Sequence, residues 1–228
     1  MSQTIGGRGE FGDGPLSRAC TAIYTLLSVE LLLLAGIAPG LALLTLLTPE
    51  AANLPLFALA AVPAGPALSA ALVTLHGPRD LVDLHPGRAF SRAYRSNAAA
   101  VLRLWCPALA VLTIIAINLA HLDVAGVPPI WAGLLVVSAV IIGLWALNAV
   151  TVCSFFSFRT RDAAWLAWYL LARLPGVTLG TAGLLGLALA VTGFWSEAAL
   201  ALLGSGFAVL LLTSGRPLIA HVEREFTG

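Results

Sequence analysis

The sequence predicts an all-α membrane protein: six transmembrane helices, both termini cytoplasmic, and two amphipathic helices at the inner surface. Three observations predict it. Of 228 residues, 59% are hydrophobic and only 10% charged, where soluble domains run near 45–50% and about 25%. The apolar residues fall into six long runs. The cationic residues are confined to alternate connections between those runs. A disordered chain is excluded by the apolar content, and a net charge of +1 gives no general pull toward nucleic acid.

A helical span needs about 20 mostly apolar residues. The runs cover 21–47, 53–75, 98–119, 129–156, 175–194 and 198–221. Pro39-Gly40 interrupts the first. Barrel strands would show roughly 10-residue alternating segments, and these runs are continuous. Backbone groups in lipid must be satisfied internally, so helices follow. The domain reading is a disordered cytoplasmic tail over 1–18, a six-helix domain over 19–222 and a short cytoplasmic tail over 223–228. Residues 1–17 are Gly-rich and mixed in charge, and the run behind them is too long for a signal-peptide core.

Every cationic residue that is not histidine is an arginine. Arg8 and Arg18 precede the first span. Arg79, Arg88, Arg92, Arg95 and Arg103 lie between the second and third or just inside the third. Arg159, Arg161 and Arg173 lie between the fourth and fifth, and Arg216 and Arg224 close the chain. The connections around Glu50, Asp123 and Glu197 carry no arginine. Arginine-rich loops stay cytoplasmic, so both termini are expected inside.

Two inner connections carry helical patterning. Pro86 suits the first turn of a helix. Behind it, Arg88, Arg92, Arg95 and Arg103 recur on one face at a 3.6-residue period, with Phe90, Tyr94 and Trp105 on the other. This is a surface helix with an arginine stripe, suited to anionic headgroups or to docking a cytoplasmic partner through Arg88, Arg92, Arg95, Tyr94 and Asn97. The second connection, Arg161 to Tyr169, reads as an aromatic helix lying on the bilayer. It faintly echoes the first: Arg79-Asp80 with Arg161-Asp162, and Phe90 and Tyr94 with Trp165 and Tyr169.

The stretch 54–122 resembles a known family. Val62-Pro63-Ala64-Gly65-Pro66-Ala67-Leu68-Ser69-Ala70-Ala71, followed by Phe90-Ser91-Arg92-Ala93-Tyr94-Arg95-Ser96-Asn97, is similar to the YesL family of bacterial integral membrane proteins of unknown function. The first span and the C-terminal half match it only in hydropathy. The resemblance implies a protein of the bacterial cytoplasmic membrane, often encoded beside carbohydrate uptake transporters and sugar-degrading enzymes. It supplies no catalytic residue.

Polar residues within spans are candidate functional groups. Glu30 lies about 10 residues into the first run, roughly 15 Å deep at 1.5 Å per residue, with Arg103 a candidate partner. It is either a helix staple or a coupling carboxylate. Asn148 and Asn118 are amides on apolar helices, which usually join helices. Pro63, Gly65 and Pro66 kink the second span, and carbonyls freed at kinks can bind ligands. Cys20, Cys106 and Cys153 show no metal or disulfide spacing. His76, Asp80, Asp83 and His85 fit no zinc pattern. No cofactor or metal is expected.

Three function classes follow. The first is a non-catalytic accessory component of an ABC-type carbohydrate uptake system, with transporter subunits or a second copy as partner. The ABC permease subunit itself is excluded. Asp162-Ala163-Ala164 and Leu174-Pro175 echo its coupling loop, but Trp168 stands where that loop has glycine and the spacing is short. The second is a small secondary transporter or channel lined by Glu30, Arg103, Asn148, Gly65 and Pro66. The third, an enzyme on lipid-linked substrates, lacks any HExxH, GxSxG or acidic pair.

Overall fold

A computed structural model describes residues 15–77, 85–122, 126, 128–156, 158–194 and 202–226. No strand occurs among them. The helices are α1 (Pro15–Leu44), α2 (Leu54–Ala61), α3 (Ala64–His76), α4 (Pro86–Ala120), α5 (Ile130–Phe155), α6 (Thr160–Arg173), α7 (Pro175–Phe194) and α8 (Gly204–Phe226). A single 3-10 turn, Ala51–Asn53, leads into α2.

Among the described residues, five stretches are long and apolar enough to cross a membrane: Ala19–Leu44, Ala51–His76, Pro86–Ala120, Ile130–Phe155 and Pro175–Thr192. They fall on the first five expected runs. The sixth differs. Its apolar helical stretch is Gly204–Ala220, shorter than the other five. Its expected beginning at 198–201 lies outside the described residues.

Proline sets several boundaries. Pro86 and Pro175 each open a helix, where a missing N–H costs nothing. Leu174, before Pro175, leaves helical geometry at φ −117°, ψ 74°, because the proline ring crowds the residue ahead of it. Pro63 separates α2 from α3 by removing a donor and crowding the preceding turn. The Val62 N–H donates instead to Leu59 O at 3.2 Å, a tighter local turn.

The expected surface helix before the third span is continuous with that span. Residues 87–97 and the apolar run form one helix of 35 residues. Nothing after Gly87 interrupts it until Pro107. At 1.5 Å per residue it is about 52 Å long, well beyond the ~30 Å hydrocarbon core of a bilayer. The second amphipathic helix is a separate element, α6. Helix α1 starts at Pro15, and α8 runs to Phe226. The rest of the N-terminal tail, 1–14, lies outside the described residues.

Helices α3 and α4 share the most extensive interface, followed by α4 with α5. One buried cluster joins Leu72 of α3, Val101 of α4, Val152 of α5, Ala167 and Leu170 of α6, and Leu218 of α8. A second joins Val29 and Leu33 of α1 to Ala67, Ala70 and Ala71 of α3, Phe90 and Ala93 of α4, and Ala208 of α8. Its alanines let backbones approach, the usual device where lipid removes the hydrophobic drive between helices. Large apolar side chains such as Leu27, Leu31, Ile114, Leu134, Val137 and Leu189 stay exposed. So many large apolar side chains left exposed suit lipid rather than water.

Candidate functional site

The break between α2 and α3 brings the proline and glycine candidates together. Gly65 and Pro66 are both buried. The Trp105 indole N–H of α4 donates to Ala61 O at 3.0 Å. Its ring lies flat on Gly65, where an added Cβ would come within 2.7 Å of it. On the other side, Gly40 of α1 faces the Ala60 carbonyl so closely that a Cβ there would overlap the oxygen. Two carbonyls at the break are occupied: Leu59 O by Val62 and Ala61 O by Trp105. The break is closed by protein on both sides.

Glu30 lies near the midpoint of α1 and is half-buried. Its partner is not Arg103, which is exposed and forms no ion pair with it. Instead the carboxylate accepts from the start of α8. Gly204 N–H donates to Oε1 at 3.3 Å, and Ser205 N–H donates to Oε2 at 2.6 Å. The first N–H groups of a helix have no partner inside it, and the positive end of the helix dipole favours a carboxylate there. Glu30 thus caps α8 from another helix. The contact also places the first turn of α8 beside the middle of α1, with Leu33 against Gly204.

Asn97 turns inward. Its Nδ2 donates to Ser154 O of α5 at 3.2 Å and to Ser69 Oγ of α3 at 3.3 Å. The Ser154 and Ser69 hydroxyls are 2.9 Å apart, and the Ser154 hydroxyl also reaches Val150 O at 2.6 Å. One proton cannot serve both. With Ser154 donating to Val150, the Ser69 hydroxyl supplies the bond between the serines, and every donor is used. Three helices are tied at one polar point. Asn97→Ala should cost about 1 kcal/mol, near the upper range measured for interhelical hydrogen bonds in membranes, read as a lower unfolding midpoint in detergent. No change would mean that the apolar contacts alone hold these helices.

Asn148 is elsewhere on α5. It is buried at 2% exposure, and its Nδ2 has no partner among the described residues. The five residues expected to line one path therefore have separate surroundings. Glu30 meets α8, Gly65 lies under Trp105, Pro66 is buried, Arg103 is exposed, and Asn148 is enclosed.

The arginine stripe does present one face. Arg88, Arg92, Arg95 and Arg103 are all exposed, while Phe90 and Ala93 are buried. Phe90 stacks on half-buried Tyr94, with ring centres 6.3 Å apart and 25° between planes, and both rings lie against Gly36 of α1. Tyr94 and Asn97 thus anchor the helix, and the arginines remain exposed.

No family model, characterised protein or solved structure matches the chain. The residues themselves must carry the functional reading.

The remaining feature is on α6. An open groove of about 340 Å³ is lined by Phe158, Asp162, Trp165, Leu166 and Tyr169. Helix α6 is pinned to α5 by the Trp145 indole N–H, which donates to Ala164 O at 3.1 Å. Trp145 also stacks on Trp168 at 6.0 Å. The aromatic character of this helix is legible in the sequence, but its grouping around Asp162 is not, because Phe158 joins from before the helix. Among the described residues, no group of three or more His, Cys, Asp or Glu is placed to hold a metal. His76 instead meets Phe155 edge-on at 4.9 Å, and Asp80 and Asp83 lie outside the described residues.

Proposed function

We propose that the protein is a non-catalytic accessory component of the bacterial cytoplasmic membrane, associated with a carbohydrate uptake system of ABC type. In this reading α8 completes six spans, and both termini face the cytoplasm with the arginines. The observation that carries it is the exposed row Arg88, Arg92 and Arg95 on the N-terminal part of α4. The opposite face of the same turns is packed into the fold, so the guanidinium groups are presented from a rigid support. Arginine is suited to bidentate recognition of carboxylates and phosphates.

The YesL resemblance supports the same reading through its two segments. Ser69 of the first and Asn97 of the second are hydrogen-bonded to each other, so the two segments that carry it form one structural unit. The transporter alternative needs Glu30, Arg103 and Asn148 around a shared cavity; Glu30 is engaged by the start of α8 and Arg103 is exposed, which counts against it.

The test combines Arg88→Ala, Arg92→Ala and Arg95→Ala. The triple variant is expected to lose co-purifying transporter subunits and to lower sugar uptake, while its unfolding midpoint stays within about 0.5 kcal/mol of the parent, as for exposed sites. Unchanged partner recovery and uptake would leave the stripe as a headgroup contact and remove the accessory role.

A further inference from the structure

We infer that the α6 groove holds the ammonium group of a phospholipid headgroup, with phosphatidylethanolamine as its source. The groove brings three aromatic side chains, Phe158, Trp165 and Tyr169, together with the Asp162 carboxylate. Aromatic faces attract cations through their quadrupoles, most strongly when an ammonium sits within about 6 Å of the ring centre. A carboxylate among such faces makes the groove favourable for a cation and unfavourable for an anion.

Asp162 is exposed and has no hydrogen bond or ion pair among the described residues, although Arg159 and Arg161 are close in the chain. Its place in the first turn of α6 gives it a favourable dipole interaction. That accounts for the acid but not for the aromatic residues gathered with it. The volume falls within the range of small-molecule sites, roughly 300–1,000 Å³, and the groove is open on one side.

Two observations select a lipid over a soluble cation. Trp165 is 68% exposed and Trp168 43% exposed on this short helix, and tryptophan so placed belongs at the headgroup level of a membrane. Helix α6 also connects α5 and α7, both long and apolar enough to cross, which holds it near the bilayer surface. Arg159 and Arg161, exposed at the start of the same helix, supply charge for the headgroup phosphate. The chemistry is then complementary to a zwitterion: ammonium to Asp162 and the rings, phosphate to the arginines. This inference rests on the membrane assignment alone, so it stands or falls separately from the accessory role.

The test uses the full chain, purified in detergent with equal mole fractions of phosphatidylethanolamine and phosphatidylglycerol, with retained lipid counted by native mass spectrometry. The parent is expected to retain phosphatidylethanolamine preferentially. Asp162→Asn should reduce that preference about tenfold, equivalent to about 1.4 kcal/mol, and Trp165→Leu should reduce it as well. A parent-like unfolding midpoint for Asp162→Asn separates loss of binding from loss of fold. Equal retention of the two lipids, or a preference that survives Asp162→Asn, overturns the inference. A third arm adds tetramethylammonium to lipid-free protein. Saturable binding there without selection of phosphatidylethanolamine makes the groove a soluble-cation site and overturns the headgroup assignment.

Discussion

Gly40→Ala is expected to destabilise the fold by about 2–3 kcal/mol, the upper part of the range for overpacked interiors. The added methyl group would overlap the Ala60 carbonyl oxygen and come within 3.0 Å of the Ala60 carbonyl carbon and 3.2 Å of Pro63 Cγ. None of these atoms belongs to a side chain that can swing aside. Two are backbone, and the third is a proline ring beside the break. Relief requires moving α1 away from α2, which opens the second buried cluster around Val29 and Leu33. The measurement is the unfolding midpoint in detergent, with Gly87→Ala as the matched control. A Cβ at Gly87 meets nothing within 4 Å, so that variant should behave as the parent does. If Gly40→Ala also behaves as the parent does, α1 and α2 are not in close backbone contact.

Glu30 gives the second large effect. Glu30→Ala removes both acceptors from the Gly204 and Ser205 N–H groups. Cap removal in water costs about 0.5–2 kcal/mol, and leaving a buried donor unpaired costs about 1–3 kcal/mol. A loss of about 2–4 kcal/mol is expected for the pair of donors. Glu30→Gln keeps one amide oxygen as acceptor and offers an NH2 group where the second was, so about half of that loss should appear. Graded loss in the order Gln then Ala, again by unfolding midpoint, identifies a cap. A coupling carboxylate would give the opposite pattern: stability little changed in either variant, and proton-linked flux abolished in Gln. If both variants keep parental stability, the cap assignment fails.

The first five runs were legible because a helix in lipid needs only length and apolarity, and both are written locally. Pro63 announced its break for the same reason, since a missing N–H acts within one turn. The unity of residues 87–97 with the third span was legible in principle, because no glycine or proline separates them. The site contacts were not legible. Glu30 and Gly204 are 174 residues apart, Trp105 and Ala61 are 44 apart, and Asn97 and Ser154 are 57 apart. Depth alone suggested Arg103 as the partner of Glu30. A helix terminus proved to be the partner, and its donors are backbone groups that no residue type advertises. Ser69 and Ser154 carry no signal in a single sequence, since an isolated serine on an apolar helix most often bonds its own preceding turn.

The length of α4 has a mechanical consequence. From Gly87 to Cys106 the helix contains no proline, and Asn97 and Trp105 clamp that same stretch to α3, α5 and the end of α2. The arginine-bearing end is thus stiff, and Phe90 and Ala93 buttress it against α1 and α3. Whatever binds its tip is held at a fixed height and azimuth relative to the core. A lateral load on this end passes to the second buried cluster and the three-helix polar point, because no proline between Gly87 and Cys106 supplies a hinge.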